Sequence, residues 1–245
     1  MSGRANIAEP GEVLDPKQKP LVPRDAATLV ILDRTLGEPR VLMGKRRADL
    51  AFMAGKYVFP GGRVDAADKG IAVADDLRPR EIVKLMAQMR GKPSAVRAKA
   101  LALAAVREAF EEAGLIIGGG GSLGSAVPES WRGFADRNFV PNLAPLTFFA
   151  RAITPPGRPR RFDTRFFTMD ASAIAVRLGH NDGELSGLDW LTLDAARELD
   201  IPRITRLVLE DLSEQLADGT LDAGTSPVPF YYMRNGSFKR DLITA

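Results

Sequence analysis

Arg107-Glu108-Ala109-Phe110-Glu111-Glu112-Ala113-Gly114-Leu115 places three carboxylates and an arginine side by side, directly before a glycine. At about 100° per residue, a helix through this stretch sets Glu108, Glu111 and Glu112 at i, i+3 and i+4 on one face. Leu103, Val106, Phe110 and Ala113 fall on the opposite face and are expected in a core. Like charges at that spacing repel by about a few tenths of a kcal/mol per pair. Two readings follow. Either the acids form a solvated helix face, or a cation offsets their repulsion, and oxygen-only ligands would select Mg²⁺ or Mn²⁺ over zinc or copper.

Composition narrows the chemistry. The 245 residues are 45% hydrophobic and 27% charged, as in an ordinary globular protein. No apolar run is long enough for a transmembrane helix, and residues 1–20 lack a secretory h-region. There is no cysteine, which excludes disulfides, thiolate metal sites and cysteine nucleophiles and fits a cytoplasmic location. The single histidine, His180, sits in a loop-like LGHNDGE, so acid–base work must lean on carboxylates, lysines or water. A net charge of +3 is too mild for a nucleic-acid surface but leaves room for an anionic small molecule.

The order of elements reads as α+β. A polar, proline-rich tail over 1–22 precedes a strand at Ala26–Leu32 and a second at Arg40–Lys45, joined as a hairpin. A short strand then runs into Phe59-Pro60-Gly61-Gly62, turn chemistry that also lets backbone approach a ligand. Residues 70–94 are helical in composition, with Ile82, Leu85, Met86 and Met89 needing burial. Ser94 fits the N-cap and Gly114 the C-terminal cap of the acidic helix, expected over 95–113. Gly118–Ser122 reads as a flexible loop, Pro128–Arg137 as helical, and Leu146–Ile153 and Arg165–Met169 as aromatic-rich strands. A strand at Leu185–Leu191, helices at Leu193–Leu199 and about 203–217, and an irregular tail around 227–232 complete the chain. Trp131 and Trp190 read as core residues.

Together, Arg107-Glu108-Ala-x-Glu111-Glu112-x-Gly114-Leu115 and the upstream Phe-Pro-Gly-Gly closely resemble the Nudix box of the Nudix hydrolases, Gly-x5-Glu-x7-Arg-Glu-U-x-Glu-Glu-x-Gly-U, where U is bulky aliphatic or alanine. A chance match to the five fixed letters has odds on the order of one in ten thousand to a hundred thousand. The first half departs from the pattern. Counting from Gly62, the glutamate position holds Asp68, and 38 residues instead of seven separate it from Arg107. An uninterrupted box would put Lys99 there, so Gly62 and Asp68 are taken as its start, with about 31 residues inserted. The split box, with Ala152-Ile153-Thr154-Pro155 and Arg161-Phe162-Asp163-Thr164-Arg165-Phe166-Phe167, is similar to the branch containing peroxisomal-type coenzyme A diphosphatases.

The resemblance implies a Nudix fold, a mixed sheet between helices, in one domain over 23–245 with a helical insert at about 70–98. It implies Mg²⁺ or Mn²⁺ held by Glu108, Glu111 and Glu112 with a backbone carbonyl near Gly61. Glu108 is a ligand or base, Glu184 a second candidate base, and Arg107 an orienting residue on the side away from the metal face. Arg46, Arg47, Arg161 and Arg165 are candidates for anion binding, and Phe162 for stacking on a base. The activity implied is hydrolysis of a diphosphate linkage in a nucleotide-type small molecule, with coenzyme A or an acyl-CoA first. ADP-ribose, a dinucleotide or a nucleoside triphosphate are alternatives, as is a nucleotide-sensing module without turnover. The insert could cover the site, read an acyl or pantetheine arm, or build a homodimer interface.

Overall fold

A computed structural model of the chain describes residues 21–49, 54–179 and 184–244. His180 and most of the expected N-terminal tail lie outside the described residues. Strand β1 (Arg24–Asp33) and β2 (Arg40–Arg46) form the expected antiparallel hairpin, with Leu32 opposite Val41. The apolar run of β1 is unbroken because both its faces are covered. Ala27, Leu29 and Ile31 enter one core, while Val30 and Leu32 enter the other, the alternation a pleated strand imposes. Next, β3 (Tyr57–Val58) pairs with β2, and β4 (Gly61–Arg63) pairs with β1. A 3₁₀ turn at Ala67–Gly70, helix α1 (Pro79–Met86) and helix α2 (Ala95–Ala113) follow.

Beyond α2 come β5 (Leu115–Ile116), β6 (Gly118–Gly120), the short α3 (Arg132–Ala135), β7 (Phe139–Pro141), β8 (Thr147–Ile153), β9 (Phe162–Asp170) and β10 (Val176–Arg177). The chain continues through β11 (Leu185–Thr192), α4 (Leu193–Glu198), α5 (Arg203–Ala217), α6 (Thr220–Ala223), β12 (Val228–Arg234) and β13 (Ser237–Ile243). The main sheet runs β11-β2-β1-β9-β8-β12-β13, with β3 and β4 paired off this path. It is mixed: β1 with β9 and β8 with β12 are parallel, the rest antiparallel. Helix α2 packs on one face with Trp131 and Phe134, and α4 and α5 pack on the other. This is the expected α+β sheet between helices.

Three local expectations are corrected. The insert is helical only over α1. Past it, Gln88 and Gly91 take positive φ (56° and 72°) and Pro93 follows, so no second helix forms before Ser94. Leu77, Leu85 and Met89 nonetheless enter the core that covers α2, with Ile82 and Met86 half-buried against it and Val83 exposed. Gly118–Gly120 is a strand paired with β7, because a ladder needs only backbone groups. Of the segment 227–232, all but Pro227 belongs to β12. Pro229 is tolerated because the pairing with β8 begins one residue later, at Phe230. Asn235 and Gly236 turn β12 into β13 at positive φ (51° and 74°), the geometry of a two-residue hairpin and a signal the dipeptide itself carries.

Candidate functional site

Both ends of α2 are fixed as its sequence dictates. Ser94 Oγ accepts a hydrogen bond from the Arg97 N–H at 3.3 Å. Gly114 closes the helix at φ 64°, in the left-handed region that favours glycine, and its N–H reaches the carbonyls of Ala109 and Phe110. The helix is buried along most of its length, and Phe110 is only half-buried. Glu112 is buried, Glu108 half-buried, and Glu111 exposed.

The Gly-Gly strand β4 lies across this helix. Its antiparallel register, Thr28 opposite Gly61 and Ala27 opposite Gly62, holds both glycines against α2. The Gly61 N–H donates to Glu112 Oε2 at 2.8 Å. A Cβ on Gly62 would fall 2.3 Å from Oε1 of Glu108, so only glycine allows that carboxylate where it stands.

Arg107 ties the parts together. Its Nη1 donates to Glu108 Oε1 at 2.8 Å and to Glu111 Oε2 at 2.7 Å. Its Nε and Nη2 hold the two oxygens of Asp68 at 3.0 and 3.3 Å, and Nη2 also reaches the Arg63 carbonyl at 2.8 Å. The expectation that Arg107 stands away from the acid face is therefore corrected. Its long side chain folds back and puts the guanidinium among the acids. Asp68 is fully buried and also accepts from Trp131 Nε1 at 3.1 Å and the Asp65 N–H at 2.8 Å. With four donors on two oxygens, Asp68 fixes the fork of Arg107 rather than facing a ligand. The polar use of Trp131 has no signal in the sequence.

On the other side of Glu112 stands Arg46. Its Nη1 is 3.8 Å from Glu112 Oε1, and its Nη2 donates to Glu184 Oε2 at 2.7 Å. Three candidates far apart in sequence are thus brought together. The acids feel their crowding. Burial first, then repulsion from Glu108 and Glu184, pushes Glu112 up to about 8 against the Gly61 N–H and Arg46. Burial pushes Glu108 up to about 7 even though Arg107 pulls the other way, and burial raises Glu111 as well. Arg107 pays burial too, but Asp68, Glu108 and Glu111 outweigh it and hold its pKa above the ordinary value.

Among the described residues, no group of three or more acidic or histidine side chains is gathered as a ready metal cage. The donor set still suits a hard divalent cation. All of its side-chain donors are carboxylate oxygens, and burial, which raises the pKa values of Glu108 and Glu112, leaves their ionised forms short of solvation.

The remaining anion-binding candidates are placed elsewhere. Arg47 pairs with Asp49 at 2.9 Å on the surface. Arg161 donates to the carbonyls of Thr154 and Leu21 at 2.9 and 2.6 Å. Phe162 pairs in register with Arg24, four residues along β1 from the Thr28–Gly61 pair, roughly 13 Å at 3.3 Å per residue. Arg165 is fully buried, with Nη1 on Asp25 and Asp163 at 3.1 and 2.9 Å, and burial lowers its pKa to about 10. Its expected contact with substrate is corrected: the guanidinium is spent inside the sheet, in a network with Arg151 and Asp163.

The comparisons with known proteins bear on the fold. A scan against models of protein families finds no match. The chain is 29% identical over 182 residues to a putative nudix hydrolase 7 of Caenorhabditis elegans, covering 69% of this chain and 51% of that protein. It thus spans about half the length of the curated relative it matches. A NUDIX hydrolase from Alicyclobacillus acidocaldarius overlays with a TM-score of 0.62 at 24% identity, covering 82% of this chain and 96% of that one. The NUDIX domain of Shewanella oneidensis NrtR, solved with ADP ribose, overlays more loosely, with a TM-score of 0.47 at 12% identity and coverage of 82% and 93%. The fold of this chain is the Nudix fold.

Proposed function

We propose that the chain is a Nudix hydrolase that cleaves a diphosphate linkage in a nucleoside diphosphate derivative with the help of Mg²⁺ or Mn²⁺. The observation that carries this reading is the interlock of α2 with the Gly-Gly strand. Glu112 on the Gly61 N–H, Glu108 in the space Gly62 leaves open, and Arg107 clamped by Asp68 gather acids at a cost a mere surface helix has no reason to bear. Glu108, Glu111 and Glu112 would hold the metal, with a backbone carbonyl near Gly61. When bound, the metal neutralises phosphate oxygens and acidifies water.

The chain's own residues do the rest. Arg107 and Asp68 hold the acids in place. Arg46, which stands between Glu112 and Glu184, would meet charge on the transferring group. Glu184, more than half exposed, accepts the proton of the attacking water as the P–O bond to the leaving group breaks. The likeness to the C. elegans protein supports the class of chemistry; coenzyme A or an acyl-CoA rests on the split box alone.

Glu111→Gln with Glu112→Gln should lower kcat for Mg²⁺-dependent diphosphate cleavage by more than about 100-fold. Unchanged turnover would remove the catalytic reading and leave the sensing module. Coenzyme A, ADP-ribose, NADH and dinucleoside polyphosphates, scored by product mass, decide substrate. Adenosine 3′,5′-bisphosphate with 4′-phosphopantetheine is the result expected for coenzyme A.

A further inference from the structure

Beside the acidic helix lies an open cleft of about 380 Å³ at the start of β1, the end of β4 and the first turn of α2. Four cations line it, Arg24, Arg63, Lys69 and Arg97, against two carboxylates, Asp25 and Asp65. Both carboxylates are already engaged. Asp25 holds Arg97 on one side and Arg165 on the other, and Asp65 accepts the Ala67 N–H at 2.8 Å in the turn that follows. Arg24, Arg63 and Lys69 are exposed and make no side-chain ion pair or hydrogen bond among the described residues. That sets them apart from Arg34, Arg46, Arg107 and Arg151, each of which holds a carboxylate.

The cleft adjoins the acids directly. The backbone of Arg63 is bonded by Arg107, and Asp65 stands near enough to Glu111 to repel its charge. Arg63 follows Gly62, the residue against which Glu108 rests. A ligand seated on the acids could therefore extend a second anionic group into the cleft without leaving the protein.

We infer that this cleft is a subsite for a phosphomonoester carried by the same substrate, with Arg24, Arg63 and Lys69 as its contacts. Its link to the substrate rests on the diphosphate-hydrolase reading; its affinity for phosphate does not. Two guanidinium forks and an ammonium suit a dianionic phosphate, which takes several charge-assisted hydrogen bonds at once. A carboxylate or a neutral sugar would leave most of those donors unused. The inference separates substrates that share the diphosphate. Coenzyme A and NADPH carry a ribose phosphomonoester, whereas dephospho-coenzyme A, NADH and ADP-ribose do not.

The test uses the full chain and the Arg63→Gln/Lys69→Gln variant, both positions being exposed. The kcat/KM of coenzyme A over dephospho-coenzyme A, and of NADPH over NADH, is measured for each. For at least one pair the wild type should prefer the phosphorylated member by about tenfold, and the variant should bring that ratio towards one. In parallel, calorimetric titration with inorganic phosphate should show binding that weakens about tenfold in the variant. Equal use of both members of each hydrolysed pair by the wild type overturns the inference, and so does phosphate affinity unchanged in the variant. If neither pair is hydrolysed, the proposed reaction fails on these substrates, and the phosphate titration alone upholds or overturns the cleft as a phosphate site.

Discussion

At the scale of single residues, the site is a balance between burial and charge. Glu112 is ordinarily a carboxylic acid of pKa 4.5, and its folded value is about 8. Below 4.5 it is protonated in both states and contributes no pH dependence. Between 4.5 and 8 the unfolded chain releases the proton and the folded one keeps it, so stability falls as pH rises; above 8 the fall levels off. Glu112→Gln should flatten the decline in melting temperature between about pH 5 and pH 8, measured in a chelator. An identical slope in the two proteins would refute this. Gly62 is equally constrained. Gly62→Ala must push the Glu108 carboxylate aside by about an ångström, and a loss of about 100-fold in kcat with an unchanged circular dichroism spectrum is expected.

At the scale of elements, α2 was legible almost residue for residue. Ser94 and Gly114 are local signals acting through hydrogen bonds within one turn, and the structure uses both. Ser94→Ala should cost about 1 kcal/mol in urea denaturation, since the Arg97 N–H loses its acceptor. An unaltered midpoint would mean that water serves the cap as well. The simple division of α2 into apolar and acidic faces was less accurate. Glu112 and Arg107 are both buried, because the insert, β4 and the Trp131 segment cover faces that a lone helix would leave wet. The β12–β13 hairpin shows the opposite case. Its Asn-Gly turn was written in the sequence, but Pro227 and Pro229 argued for irregular chain, and tertiary pairing with β8 prevailed.

Across the whole molecule, the sheet is stitched at one end by ion pairs buried between strands. Arg151 binds Asp163 through two hydrogen bonds of 2.9 and 2.8 Å, and Arg165 joins Asp163 to Asp25, which also takes Arg97 from α2. β8, β9, β1 and α2 thus meet in one network beside the proposed phosphate cleft. Removing one member leaves buried charge without a partner. Asp163→Asn should destabilise the chain by about 3–5 kcal/mol in chemical denaturation. A change below about 1 kcal/mol would mean that water or rearrangement satisfies both arginines. The Arg-Phe-Asp-Thr-Arg segment that suggested ligand contacts is, in the structure, a fastening of the sheet.

What the sequence alone determined were features set within a few turns of chain: the α2 helix with its caps and its acid spacing, the first hairpin, and the short strand leading into Gly61-Gly62, although those glycines, read as a turn, pair with β1 as strand β4. Periodicity, capping and glycine chemistry act locally, so they can be read locally. Only the tertiary structure decided which charged residues stay open and which are spent on partners inside the fold. It joined Arg46, Glu112 and Glu184 across a span of 138 positions, buried Asp68 beneath Arg107, and enclosed Arg165 while leaving Arg24, Arg63 and Lys69 around an open cleft. An arginine has the same propensity in each of these places. Its partner, and hence its role, depends on which strands the sheet lays side by side.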